Sequence, residues 1–261
     1  MPAAGGEQRL CLHHAPAGAA RAHLLFVHPF AEEMNKSRRQ VALTCRALAE
    51  RGVSVLQIDL RGCGDSSADF RDASWDDWLD DIARGVHWLQ QNGSAAPLWL
   101  WGLRAGALLA TAAAARHAWD CNFLLWQPVT NGKQALQQFL RLKVAAELAG
   151  GASKGVMEGM KQTLQAGGTV EVAGYGLGAA LAHGLEAAQL LPPAGPGRRL
   201  SWLEVSTQAE PAFSPVSSQA LQRWREAGWQ VDAQVLPGPS FWASSEIETA
   251  PALIERTVGT P

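Results

Sequence analysis

A chain of 261 residues with 22 basic and 24 acidic side chains, a formal net charge of −2 and 47% hydrophobic composition reads as an ordinary globular protein, one domain with room for an insertion. The near balance of charge argues against a nucleic-acid partner, and no apolar stretch approaches the roughly 18 residues that a membrane span requires. Cys11, Cys45, Cys63 and Cys121 are widely spaced, without a CxxC or Cys/His cluster, so neither a metal site nor a disulfide framework is expected.

Along the chain, apolar runs alternate with helical patterns, the signature of crossover units that lay down a mostly parallel sheet with helices on both faces. Residues 1–6 lack the basic and apolar regions of a signal peptide, which points to a cytoplasmic protein. Residues 23–29 read as the first strand. A charged loop with a helix start covers 32–39, and the helix over 39–51 has Val41, Leu43 and Leu48 as its apolar face and Gly52 as its stop. A strand over 53–60 follows. The helix over 75–91 has Ser74 as N-cap, Asp76 and Asp77 in its first turn and Asn92-Gly93 at its end. Pro97 opens a strand through 101 suited to burial on both faces, and the alanine- and leucine-rich run 107–115 favours helix. Strands are expected over 121–126, 200–206 and 231–236, with helices over 218–227 and 250–258. Between 131 and 197 the pattern breaks into an amphipathic helix over 134–148, a glycine-rich stretch, a helical segment over 170–190 and a proline- and glycine-rich linker over 192–197. The expected organisation is a core over 1–130 and 198–261, interrupted by a helical cap over 131–197.

The turn after the 97–101 strand reads Gly102-Leu103-Arg104-Ala105-Gly106. It keeps the glycine frame of a G-x-S-x-G elbow, a strained strand-to-helix turn that lifts its central side chain above a sheet, but the centre is arginine. A guanidinium stays protonated at any working pH and cannot attack a carbonyl. In that fold the histidine base follows the last strand. The histidines here, at 13, 14, 23, 28, 87, 117 and 183, all precede it, and the loop after 231–236 holds Pro237 to Trp242 instead. Ser-His-Asp chemistry is therefore not expected. Glu210 lies near the position of the acid, and His28 is the one histidine at the upper edge of the expected sheet. For Cys63, Ser66, Ser67 and Ser240 the expected roles are structural ones in turns.

Arg104 makes a physical demand of its own. At a helix N-terminus the dipole disfavours a bare cation by roughly 0.3–1 kcal/mol, so an anion is required. Glu32, Glu33, Asp65 and Glu210 are the internal candidates, with Glu32 or Glu33 first. The other candidate is a ligand carboxylate, sulfate or phosphate, because helix N-termini seat anions and arginine adds a bidentate fork.

Four segments carry a family resemblance: HPFAEEMNKSRR over 28–39, DLRGCGDSS over 59–67, GLRAG over 102–106 and PGPSFW over 237–242. Together they resemble the exosortase A system-associated hydrolase 2 family of the α/β-hydrolase superfamily, over about residues 24–254. The resemblance implies an α/β-hydrolase fold with a cap acting as a lid, an ester- or acyl-hydrolase ancestry, and an origin in bacteria that make exopolysaccharide and sort PEP-CTERM proteins, usually beside a second hydrolase of the same system. In the superfamily a strand ending in His-Gly leads into the oxyanion loop, and His28-Pro29-Phe30 takes that place.

Three functions from different classes follow. One is a degenerate hydrolase that binds an anionic or acylated small molecule, with Arg104, Leu103, Ala105, Phe30, Asn35, Trp126 and Trp242 as ligand-binding candidates. The second is a hydrolase of unusual mechanism in which a carboxylate activates water, with Glu32, Glu33, His28, Asp65 and Glu210 as catalytic candidates. The third is a non-catalytic partner of the neighbouring hydrolase or of the sorting machinery. None of them calls for a cofactor or a metal, and the shared fold does not choose between them.

Overall fold

The computed structural model describes residues 1–149, 155–195 and 198–261. Its strands are β1 (Cys11–His14), β2 (Ala22–Val27), β3 (Val53–Ile58), β4 (Leu98–Leu103), β5 (Asn122–Trp126), β6 (Thr169–Val172), β7 (Tyr175–Gly178), β8 (Arg199–Ser206) and β9 (Gln230–Pro237). Its helices are α1 (Glu32–Glu50), α2 (Trp75–Asn92), α3 (Gly106–His117), α4 (Gly132–Ala149), α5 (Val156–Gln165), α6 (Ala179–Ala187), α7 (Pro215–Glu226) and α8 (Pro251–Val258). Seven strands make one sheet in the order β1-β3-β2-β4-β5-β8-β9, parallel throughout except for β1, which runs antiparallel to β3. This is the mostly parallel sheet of an α/β-hydrolase fold.

The chain divides into two compact units. The first comprises Cys11–Ile58, Ile82–Thr130 and Leu190–Pro261 and contains the sheet. Side chains alternate along a strand, so each sheet face can be read from one parity of positions. Leu24, Phe26, Trp99, Trp101, Leu124, Trp126, Leu203 and Val205 form a single buried cluster with Val41, Cys45 and Leu48 of α1 and Leu253 of α8. The opposite parity meets other helices: Leu25 touches Gly85 of α2, and Phe123 packs edge-on against Trp224 of α7 with ring centroids 5.5 Å apart. Helices therefore cover both faces, which is why the central strands read as continuous apolar runs. Burial drives the Cys121 thiol up to about 12 and raises that of Cys45 as well, so both are inert packing groups.

The second unit comprises Met1–Leu10, Asp59–Asp81 and Asn131–Gln189. Its loop after Asp59 is tied to the first residues of the chain through hydroxyls: Ser66 Oγ accepts from the Leu10 N–H at 2.9 Å and donates to the Asp59 carbonyl, and Ser67 Oγ accepts from the Gln8 N–H at 2.9 Å. Arg9 and Asp81 form a buried ion pair at 2.7 Å, and Arg61 joins Glu7 and Asp77. The Arg61 guanidinium beside Glu7 holds that carboxyl below the usual carboxylate range. Ser74 caps α2 as expected, its Oγ accepting from the Asp77 N–H while Asp77 accepts from the Ser74 N–H.

Several sequence expectations are corrected. The run 32–39 is not a loop, because α1 begins at Glu32. Its buried face includes Ser37, Gln40 and Thr44, polar residues that hide the helical period, and Ser37 and Thr44 bond back to the carbonyls four residues earlier. The segment 170–190 is not one helix: β6 and β7 form a hairpin before α6, and its turn residues Ala173 and Gly174 both take positive φ, 49° and 82°, as a two-residue hairpin turn of the primed type requires. The glycine-rich stretch contains α5. Strand β1, four half-exposed residues, carried no apolar pattern and was not expected. Residues 150–154 of the glycine-rich stretch, and Pro196 and Gly197 of the expected linker, lie outside the described residues.

Candidate functional site

The site is built by the turn between β4 and α3. Arg104 stands at φ 55°, a positive value that non-glycine residues rarely adopt, and Ala31 after β2 (49°) and Gln127 after β5 (41°) also have positive φ. Strain of this kind at neighbouring strand ends is held only where surrounding structure over-determines it. Both glycines of the frame are required by space. A Cβ on Gly102 would lie 2.5 Å from Ala107 Cα, and one on Gly106 would lie 2.3 Å from the Val27 carbonyl oxygen. The elbow geometry is therefore present, with arginine at its centre.

Arg104 is largely buried, with 19% of its side chain exposed, and its Nε donates to Glu33 Oε1 at 3.1 Å. Its guanidinium also lies over the Trp242 ring, 5.4 Å from the centroid, within cation–π range. The expected internal counter-charge is therefore Glu33 in the first turn of α1. Glu32, the equal first choice, makes no ion pair with Arg104: its Oε2 is buried and has no hydrogen-bond partner among the described residues. Burial pushes the Glu33 carboxyl above the usual carboxylate range against the pull of Arg104, and burial also raises Glu32.

Two backbone donors complete the site, one on the candidate Ala105 and one on Gly106, which the sequence reading did not single out. The backbone N–H groups of Ala105 and Gly106, both in buried residues at the start of α3, make no hydrogen bond among the described residues, and neither Nη of Arg104 does. Buried backbone donors are seldom left unpaired. The only hint in the sequence was the elbow itself, whose first helical amides face the position of a reacting oxygen. The second omission is Gln40, wholly buried, whose side chain accepts from the Ala250 N–H at 2.9 Å and donates to the Ala250 carbonyl at 3.1 Å. Together with Lys36, which donates to the Ala243 carbonyl, it pins the loop that carries Trp242.

The other sequence candidates are placed as follows. His28 is buried and its Nδ1 donates to the Pro29 carbonyl at 2.8 Å, and Phe30 is buried beside it. Leu103 and Trp126 lie in the hydrophobic core, the indole N–H of Trp126 donating to Thr257 Oγ1 at 2.9 Å. Asn35 is exposed on α1, where its Oδ1 accepts from Arg38 Nε. Glu210 is exposed in the irregular segment after β8. Asp65 is exposed in the second unit, and its N–H donates to Asp59. Ser66 and Ser67 are occupied by the backbone bonds described above, in the turn roles expected of them. Among the described residues no group of three His, Cys, Asp or Glu could hold a metal ion, and no helix is long and apolar enough to cross a membrane.

Chemically, the arrangement offers a fixed cation, two unpaired amides and a neutralising carboxylate. It offers no hydroxyl nucleophile at the elbow and no imidazole in the last loop, where Trp242 stands.

Comparison with known proteins agrees with this frame. The structure is similar to Est1E from Butyrivibrio proteoclasticus with ferulic acid bound, with a TM-score of 0.69 and 15% identity over 97% of this chain and 94% of that one. It is also similar to a highly thermostable carboxyl esterase from Bacillus coagulans in complex with glycerol, with a TM-score of 0.61 and 13% identity over 90% of this chain and 87% of that one. At such identities the likeness speaks for the fold alone. No curated protein matches the sequence. The family described as serine aminopeptidase, S33, matches residues 18–161, more than half of the chain. On that match, the chain belongs to the S33 serine aminopeptidase-like family of α/β hydrolases, with arginine at the centre of its elbow.

Proposed function

We propose that this protein binds a small anionic or acylated molecule at Arg104 and does not act as a Ser-His-Asp hydrolase. The observation that carries the reading is the set of unpaired donors in three consecutive residues: the two Nη groups of Arg104 and the backbone N–H groups of Ala105 and Gly106. Glu33 occupies Nε and leaves the outer edge of the guanidinium, the side that forms bidentate bonds to carboxylate or phosphate. An anion there gains the dipole of α3 as well.

The motif resemblance to the exosortase A system-associated hydrolase 2 family supports a ligand from exopolysaccharide-related metabolism, a cytoplasmic location, a neighbouring second hydrolase as partner, and a helical cap over 131–197. A mechanism in which a carboxylate activates water is less well supported, because Glu33 is engaged by Arg104.

The test is a titration with sulfate followed by the 15N–1H resonances of Ala105, Gly106 and Arg104 Nε. Saturable shifts at all three are expected, those of Ala105 and Gly106 being lost in Arg104→Met. Shifts absent from wild type, or unchanged in Arg104→Met, would refute the reading.

A further inference from the structure

A cavity of about 200 Å³ lies within the second unit and is walled by α4, α5 and α6. Helical spacing explains its lining. On α4, Lys133, Leu136 and Leu140 fall at i, i+3 and i+7 and so share one face, and on α5 Lys161 and Leu164 are three apart. Leu136, Leu140, Leu164 and Ala182 make an apolar floor, each at most 6% exposed. The rim is charged. Lys133 is exposed and Lys161 half-buried, and neither makes a hydrogen bond or ion pair among the described residues. Glu186 on α6 lines the same cavity yet pairs with neither lysine, so the rim is not an internal ion cluster that closes on itself. With two lysines against one glutamate, the rim favours a negative group.

An apolar floor under a rim of unpaired cations selects a molecule with a hydrocarbon body and an anionic head. The volume is below the roughly 300–1,000 Å³ of pockets that enclose drug-sized ligands, so the body is short. We propose that this cavity binds a short- to medium-chain carboxylate, the head group held by Lys133 and Lys161 and the chain laid on Leu136, Leu140 and Leu164. The proposal is independent of the Arg104 site.

Octanoate is the probe, titrated into the full chain by calorimetry in an Arg104→Met background, which removes the other anion seat. Binding is expected there, weakened at least tenfold by Lys133→Gln/Lys161→Gln. Both lysines lie at the surface end of the cavity and their replacement removes no packing from the floor. Acetate, which lacks the chain, and octyltrimethylammonium, which reverses the charge, should each bind at least tenfold more weakly than octanoate. Failure of octanoate to bind Arg104→Met, equal binding to the lysine variant, or equal affinity for acetate would each overturn the proposal. If octanoate binds wild type but not Arg104→Met, it is held at the elbow; the reading of Arg104 then stands and this one falls.

Discussion

The guanidinium of Arg104 rests over the ring of Trp242, one residue at the elbow after β4 and the other in the loop after β9. These are the two places where a hydrolase of this fold carries its serine and its histidine. In this chain they hold arginine and tryptophan, and the two side chains contact each other. Arginine alone at the elbow would be a cation facing a helix N-terminus. Trp242 gives it a π face and Glu33 a counter-charge at Nε, so the cation is held from two sides while its Nη groups stay open.

The Arg104–Glu33 pair is expected to show strong coupling but little net stabilisation. The raised position of the Glu33 carboxyl means that burial costs more than Arg104 returns. Arg104→Met or Glu33→Leu alone leaves the other charge unpaired and should cost about 1–3 kcal/mol, below the roughly 3–5 of a fully buried pair because both side chains are 19% exposed. The double variant Arg104→Met/Glu33→Leu should lie within about 1 kcal/mol of wild type. Urea unfolding of the four proteins measures the cycle, and additive losses would contradict it.

The protein should not react with a fluorophosphonate probe, and Arg104→Ser should hydrolyse short acyl esters no faster than background. A serine hydroxyl without a base is a weak nucleophile near neutral pH, and Trp242 cannot accept its proton. Turnover by Arg104→Ser that is lost on His28→Ala would show that His28 serves as the base.

Much of this site was legible from residue identity. The glycine frame, the missing serine and the missing late histidine were visible because the elbow is local, five consecutive residues whose spacing is set by one turn. The need for a counter-charge followed from the helix dipole. Which glutamate supplies it was not legible, because that depends on whether 32–39 is loop or helix. The polar residues Ser37, Gln40 and Thr44 on the buried face of α1 concealed the period. The stacking of Trp242 on Arg104 was hidden for a different reason: it joins positions 138 residues apart, and the two-atom tie from Gln40 to Ala250 that holds it leaves no local pattern. The hairpin of β6 and β7 was missed where a four-residue alternation competed with the helix formers that follow it.

Sulfate affinity at Arg104 should rise as pH falls. The folded carboxyl of Glu33 titrates above the usual carboxylate range, so on acidification it takes up a proton before an unfolded glutamate would. Neutral Glu33 no longer competes for Arg104, while sulfate remains ionised. By the same sign, Glu33 favours the folded state most below its unfolded value, and that contribution is lost as pH rises through its folded value. Affinity measured from pH 8 to pH 5 should increase for wild type and stay nearly flat for Glu33→Gln. A Glu33→Gln protein with the wild-type slope would shift the effect to Glu32, which burial also raises.

Gln40→Ala should destabilise the protein by about 1–3 kcal/mol, since it leaves the Ala250 N–H buried without a partner, while the Ala250 carbonyl keeps the N–H groups of Leu253 and Ile254. The effect should reach Arg104. Ala250 is the N-cap of α8 and the end of the loop that begins after β9, and Trp242 lies between these two anchors. With one anchor loosened, the ring is no longer held over the guanidinium. Arg104→Met should then cost less in the Gln40→Ala background than in wild type, because part of what Arg104 contributes has already been lost. Urea unfolding gives both numbers. A stability loss under about 0.5 kcal/mol for Gln40→Ala would show that the loop is held elsewhere. Strict additivity of the two substitutions would show that Trp242 keeps its place over Arg104 without Gln40.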